Sequence, residues 1–291
     1  MACNCTSSSG TRRLKACEVE DVEEVEEVDD RRRDSALAGW LVVCWESVDT
    51  EMSKSDARKA VVLLSGGMDS CVCVAIARER HGAANIALLH AGYGQRTQER
   101  ERRAFDALAD FYGVDQRLVV QLDHFRAIGG SALTDTKIAV PEKELGAVGV
   151  HGSSIPLTYV PFRNAHFLSV AVSWAEAIRA GAVYIGAVAE DSSGYPDCRA
   201  EYYKVFQDLV RVGTRPETQI EIATPVITLK KSEIIRRGIE LGAPLHLTWS
   251  CYQNEERACG VCDSCLLRLK AFAEAGVPDP IPYRLAVSAR S

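Results

Sequence analysis

From residue 59 onward, short apolar runs alternate with amphipathic stretches. Five runs read as strands: "AVVLL" (60–64), short and apolar throughout and hence buried, then "NIALLHAG" (85–92), "QRLVVQL" (116–122), "AVYIGAV" (182–188) and "IEIATPV" (220–226). Segments with helical spacing separate or follow them at 69–80, 97–113, 163–181, 200–213, 230–242 and 264–276. Gly82, Gly113, Gly181, Gly242 and Gly276 stand where these helices should stop. A loop-rich stretch fills about 129–160. Strands alternating with helices predict an α/β fold with a doubly wound parallel five-stranded sheet, its ligands beyond the carboxyl ends of the strands. From Leu245 the pattern becomes a small cysteine-bearing module with one helix.

The first fifty residues are different. Residues 1–51 carry six Lys/Arg against thirteen Asp/Glu, a net of −7, which leaves the rest of the chain at +1 although the whole stands at −6. Val19, Val22, Val25 and Val28 punctuate a charge run. The expected division is an acidic leader at 1–51, disordered or preceding a true start at Met52, an α/β nucleotide-binding domain at 52–245, and a cysteine module at 246–291. The near-neutral body does not suggest direct nucleic-acid binding, and no run of 18 apolar residues suggests a membrane span.

The first strand ends in "LLSGGMDS", where two glycines and small polar groups precede a helix. That is how a chain builds an anion pocket from backbone N–H groups. Walker A and G-x-G-x-x-G spacings are missing. Gly66 and Gly67 would let backbone approach a ligand, Ser65 and Ser70 offer hydroxyls, and Asp69 stands where it can cap the helix or meet the ligand.

Eleven cysteines without a signal-peptide pattern point to metal more than to disulfides. Cys251, Cys259, Cys262 and Cys265 fall within fifteen residues with two x2 gaps. Four thiolates suit closed, structural, tetrahedral Zn2+, with an iron–sulfur cluster as the rival. Arg257 and Arg268 lie where they can offset the thiolate charge. Cys71 and Cys73 read as packing residues. Cys3, Cys5, Cys17 and Cys44 belong to the leader. His90, His124, His151, His166 and His246 show no ligand spacing.

Ser-Gly-Gly-x-Asp-Ser after a first strand resembles the PP-loop of the ATP pyrophosphatases. With "GYGQR" (92–96), "VPFRN" (160–164), "SGYPDCR" (193–199) and the four cysteines in this order, residues 60–269 resemble the 7-cyano-7-deazaguanine synthase (QueC) family. Phe162 departs from the Gly or Ala of that pattern, and its ring would narrow a pocket there.

The resemblance implies an adenine nucleotide α-hydrolase-like fold and a cytoplasmic homodimer. It implies a carbon–nitrogen ligase that uses ATP, Mg2+ and ammonia to convert 7-carboxy-7-deazaguanine to the nitrile through an adenylated carboxylate and an amide. It implies one structural Zn2+ per chain. ATP would lie along Leu64, Ser65, Gly66, Gly67, Met68, Asp69, Ser70, Cys71, Val72, Cys73 and Val74. Asp69, Lys231 and Arg163 would be catalytic. Tyr93, Gln95, Arg96, Arg163, Asn164, Tyr195, Asp197 and Arg199 would meet the substrate. Glu190 and Asp191 are candidates for Mg2+. Lys231 can equally be a surface lysine and Arg163 a capping residue. Cys198 sits in the substrate loop, but adenylation needs no thiolate.

Two other readings share these motifs. A PP-loop tRNA sulfurtransferase would bring catalytic cysteines or an iron–sulfur cluster, and often an RNA-binding domain. A non-catalytic ATP-binding zinc module would bind ATP without releasing pyrophosphate.

Overall fold

The computed structural model describes residues 58–142, 155–188 and 195–284. Five parallel strands form one sheet: β1 (Ala60–Leu63), β2 (Ile86–Gly92), β3 (Arg117–Gln121), β4 (Ala182–Tyr184) and β5 (Glu221–Ala223). Their order is β3-β2-β1-β4-β5. Ala60 pairs with Ile86 on one side and Ala182 on the other, so β1 is central. The chain therefore leaves β1 in one direction to make β2 and β3, and returns on its other side to make β4 and β5. The strand order reverses between β1 and β4.

Helices cover both faces, as a doubly wound sheet requires. Ala60, Val62 and Leu64 face α1 (Met68–His81), α2 (Gln98–Tyr112), α6 (Lys231–Glu240) and α7 (Asp263–Ala275), where Phe105, Leu108, Ile234, Ile235 and Phe272 are buried. Val61 and Leu63 face α4 (Arg163–Ala177) and α5 (Ala200–Gly213) through Leu168, Ala171, Tyr203 and Phe206. This period-two division of β1 explains why it reads as a continuous apolar run. A short α3 (His124–Ile128) was not legible in the sequence.

Boundaries differ most in two places. β4 and β5 are three residues each, because after Ile185, whose N–H still meets Ala223 O at 3.0 Å, Gly186, Ala187 and Val188 leave the ladder to become a cavity wall. Gly181 does not end α4. The helix stops at Ala177, and the chain turns through Arg179 at φ 59°, the left-handed role assigned to glycine. Gly181 instead leaves room for Arg58, whose Cδ would lie 2.6 Å from an added Cβ. Gly82, Gly113, Gly242 and Gly276 all take positive φ at helix ends, as expected.

Candidate functional site

The turn after β1 is fixed on every side. Leu64 N–H donates to Leu89 O (2.8 Å), and His90 Nδ1 meets Leu64 O at 3.0 Å. Burial pushes the His90 pKa down, so the neutral ring serves as donor there. Gly66 has φ 92°, and an added Cβ would stand 2.8 Å from Glu101 O. Its small size thus answers the close approach of α2's backbone rather than a ligand. Trp249 N–H closes the other side on Gly66 O at 2.8 Å. Ser65 Oγ accepts from Gly67 N–H (3.2 Å) and sits 3.1 Å from Ser70 Oγ. The first N–H groups of α1 have no acceptor inside the helix and carry its positive dipole end. Met68, Asp69 and Ser70 supply them.

Asp69 is not the cap of that helix. Gly67 holds the cap position, and Asp69 lies in the first turn. Its Oδ2 accepts from Lys231 Nζ at 3.0 Å, across 162 residues of sequence, while Oδ1 is buried with no hydrogen-bond partner. Lys231 opens α6 with only 15% of its side chain exposed, so it is not a surface lysine. An added Cβ on Gly186, after β4, would stand 2.9 Å from Ser70 N. The end of β4 thus presses on the first turn of α1, and the sequence alone gave no signal for it.

These groups wall a cavity of about 310 Å³ at the reversal between β1 and β4. Leu64, Ser65, Gly67, Met68, Asp69 and Ser70 line it, whereas Cys71, Val72, Cys73 and Val74 lie in the core behind. Burial lifts the Cys71 thiol to about 12, so it is inert as a nucleophile.

Arg163 opens α4 and lines the same cavity. Its guanidinium lies 5.3 Å from the Tyr93 ring centre and 5.5 Å from that of Phe167. Nη1 donates to Tyr93 Oη at 3.1 Å, and Nε is buried without a partner. Burial, partly offset by Arg163, lifts the Tyr93 hydroxyl to about 12. Tyr195 lines the cavity too, its hydroxyl 2.6 Å from Thr158 Oγ1.

Other sequence candidates take structural roles. Gln95 accepts from Tyr93 N–H (2.8 Å) and donates to Glu101 (2.9 Å). Arg96 donates to the carbonyls of Ala132 (2.7 Å), Asp135 (3.2 Å) and Ile138 (2.7 Å), which pins the following loop. Neither reaches the cavity wall. Asp197 caps α4 by accepting from Asn164 N–H at 3.0 Å, and Asn164 Nδ2 returns to Asp197 O at 2.9 Å. Asn164 still lines the cavity; Asp197 does not. Arg199 is the exposed cap residue of α5, also outside the wall. Phe162 does not narrow the cavity. It is exposed, sits at φ 55° and points its ring at Tyr202, 6.3 Å away. The left-handed backbone is the physical reason a glycine would suit that position. Glu190, Asp191, His151 and the leader cysteines lie outside the described residues.

The cysteine tail is a wall of the same site. Trp249, Ser250, Tyr252, Ser264 and Arg268 all line the cavity. Behind them Cys251, Cys259, Cys262 and Cys265 are buried, with their sulfurs all within 4.8 Å of one another. Zn–S bonds of about 2.3 Å in a tetrahedron separate the sulfurs by roughly 3.8 Å. Cys259 and Cys265 Sγ stand at 3.8 Å. The N–H groups of Gln253, Asn254 and Cys259 point at Cys251 Sγ, and those of Val261 and Cys262 at Cys259 Sγ. Such donors favour thiolate over thiol, so the set fits a zinc ion. Arg268 does not offset that charge. It is spent on a buried pair with Asp279, and Arg257 donates to Tyr283 O from the surface. His124 Nε2 and His166 Nδ1 meet at 3.1 Å, a pairing that sequence spacing did not announce.

The family model described as "Queuosine biosynthesis protein QueC" matches residues 59–276. The chain is 58% identical over 233 residues to the 7-cyano-7-deazaguanine synthase of Koribacter versatilis (strain Ellin345), covering 80% of this chain and 96% of that protein. It is 53% identical over 227 residues to the 7-cyano-7-deazaguanine synthase of Chlorobaculum parvum (strain DSM 263 / NCIMB 8327), covering 78% and 97%. The solved NH3-dependent NAD synthetase of Campylobacter jejuni aligns with TM-score 0.38 and 13% identity over 66% of this chain and 68% of that one. With residues 59–276 matched by the family model and nearly the full length of these relatives covered, the chain belongs to the QueC family of queuosine biosynthesis proteins.

Proposed function

We propose that this chain is an ATP-consuming 7-cyano-7-deazaguanine synthase. It condenses 7-carboxy-7-deazaguanine with ammonia and dehydrates the product to the nitrile. The observation that carries the reading is the convergence of three groups on one cavity: the α1 N-terminus, the Asp69–Lys231 pair and Arg163. A carboxylate oxygen is a poor leaving group. Transfer of AMP from ATP converts it to a good one and releases pyrophosphate. Ammonia then displaces AMP to give the amide. A second transfer, to the amide oxygen, lets that oxygen depart with AMP as the nitrogen loses its protons.

In this reading the N–H groups of Met68, Asp69 and Ser70, with the Ser65 and Ser70 hydroxyls, hold the phosphates. Lys231 neutralises charge on the departing pyrophosphate. Asp69 Oδ1, buried and unpartnered, suits a Mg2+ ion, which would draw charge off the phosphates when bound. Arg163 receives the substrate carboxylate, with Nε and Nη groups in the fork that such a group accepts. Tyr195 stacks on the base. The four thiolates leave no open metal position, so zinc is structural. The enzyme works in the cytoplasm as a homodimer on small molecules, with its nitrogen taken from ammonia in solution, in either protonation state, rather than from glutamine.

The test uses the purified chain with ATP, Mg2+, ammonium and 7-carboxy-7-deazaguanine, and follows the base by mass spectrometry. The expected result is the nitrile mass, dependent on ATP and lost in Asp69→Asn. Consumption of ATP without nitrile would leave a nucleotide site with another substrate. Binding of ATP without pyrophosphate release would leave a non-catalytic module.

A further inference from the structure

The cavity holds a carboxylate that the reactions above leave unassigned. Glu101 stands in the first turn of α2 and lines the wall. Its Oε1 accepts from Thr97 Oγ1 at 3.0 Å and its Oε2 from Gln95 Nε2 at 2.9 Å. Both donors are neutral and buried. Two hydrogen bonds use about half of a carboxylate's accepting capacity. The charged and titratable groups that face it are Arg163, from the start of α4, and Tyr93, from the loop after β2. Those two already engage each other, Nη1 to Oη. Asp69, another carboxylate of the wall, is taken by Lys231.

We propose that Glu101 receives the nitrogen donor as ammonium and removes the proton that frees its lone pair for attack. The inference rests on the synthase reading above. Ammonium is the dominant form near neutral pH and has no lone pair to give. Burial raises the Glu101 pKa, against the hydrogen bonds from Gln95 and Thr97. The carboxylate's affinity for a proton thereby moves toward that of ammonia, which makes the transfer less uphill. The balance is simple. Ammonium gives one proton to Glu101 and becomes ammonia. The nitrogen lone pair bonds to the activated carboxyl carbon, and the bond from that carbon to the AMP oxygen breaks, its electrons leaving with AMP. One more proton leaves the nitrogen as the amide forms, and Glu101 returns its own proton to water.

Glu101→Gln isolates this role. The new carbonyl can face Gln95 Nε2. The new amide can donate to Thr97 Oγ1, whose own proton turns to Cys251 O, 3.2 Å away. Shape and contacts persist while the charge and the base are lost. Two reactions are measured on the full chain: exchange of radiolabelled pyrophosphate into ATP with substrate and no nitrogen donor, and amide plus nitrile formation against ammonium concentration. Exchange should stay within about two-fold of wild type while kcat/KM for ammonium falls about 10²-fold, the scale of general-base catalysis. The deficit should shrink as rising pH supplies free ammonia. Equal losses in both reactions, or no loss in the ammonium reaction, would overturn the assignment.

Wild-type enzyme gives a second arm that does not depend on the variant folding. If ammonium is captured, KM expressed as total ammonium stays flat through the neutral range. A fall of about tenfold per pH unit would show that only free ammonia enters, and would overturn the inference. A wild-type chain that makes neither amide nor nitrile defeats the synthase reading itself, and this inference with it.

Discussion

Removing Asp279 should destabilise this protein more than any surface change, through Arg268. The guanidinium is 1% exposed and the carboxylate 3%. Arg268 Nε and Nη2 donate to the two Asp279 oxygens at 2.8 and 3.0 Å, a bidentate pair. Tyr283 Oη (2.7 Å) and Ile281 N–H (3.2 Å) donate to the same carboxylate. The far side of the guanidinium reaches Thr248 Oγ1 at 2.7 Å and Leu245 O at 3.3 Å. Asp279→Ala leaves that charge buried with only neutral acceptors. Breaking a buried pair in this way costs about 3–5 kcal/mol. For a body of this size each kcal/mol lowers Tm by about 2–4 °C, so the expected fall is roughly 6–20 °C. Urea titration gives the free energy, and calorimetry the Tm, with metal present throughout. The effect should be almost insensitive to salt, because a buried pair is poorly screened. The double change Arg268→Met with Asp279→Leu removes both charges and should recover much of the loss. A single-variant cost below about 1 kcal/mol, or a double variant no better than the single, would refute the argument that an orphaned charge is the cause.

Three further outcomes follow from the site. Asp69→Asn removes the charge that pairs with Lys231, leaving at most a neutral acceptor, and weakens a cation ligand, so pyrophosphate release should drop at least about 10²-fold with little change in Tm, measured by a coupled phosphate assay and by calorimetry. Gly186→Ala puts a methyl within 3.1 Å of the backbone of Ser70, which cannot step aside. It should cost about 1–3 kcal/mol and weaken ATP binding in a titration calorimeter, whereas Gly213→Ala, with nothing near its added methyl, should not. Metal analysis should find one zinc per chain, and Cys262→Ser should lose it together with nitrile formation.

The sheet was legible because physics writes it plainly. A parallel strand covered on both faces must be apolar along its length: the central β1 is so at every position, β2 but for His90, while the edge strand β3 keeps only Leu118, Val119 and Val120 between Arg117 and Gln121. The glycine turn and the x2 cysteine gaps were legible because backbone reach and tetrahedral ligation demand particular residues at particular spacings. Polar side chains beside those motifs were harder. Gln95, Arg96 and Asp197 carry the chemistry of ligand contacts, yet Arg96 and Asp197 spend it on backbone groups of their own chain, and Gln95 on the Tyr93 N–H and the Glu101 carboxylate. A sequence does not distinguish a guanidinium that holds a substrate from one that holds three carbonyls. Gly186 and Glu101 gave no local signal, since their meaning lies in what another segment brings to them.

The tail shows why such meetings matter. It read as a separate module because its composition changes at Leu245, but its contacts run into the site. Trp249 N–H holds Gly66 O at 2.8 Å, and Arg100 lies 4.3 Å over the Trp249 ring. Thr97, which supports Glu101, also reaches Cys251 O. The glycine turn is thus gripped from α2 on one side and from the cysteine segment on the other. A loop rich in glycine is costly to hold in one shape. Four thiolates on one ion would fix Cys251 and Cys262 whatever the rest of the tail does, and through them Trp249 and the start of α7. A metal there would need no open position to serve a reaction: it would keep two walls of the cavity at the spacing that the turn between them requires.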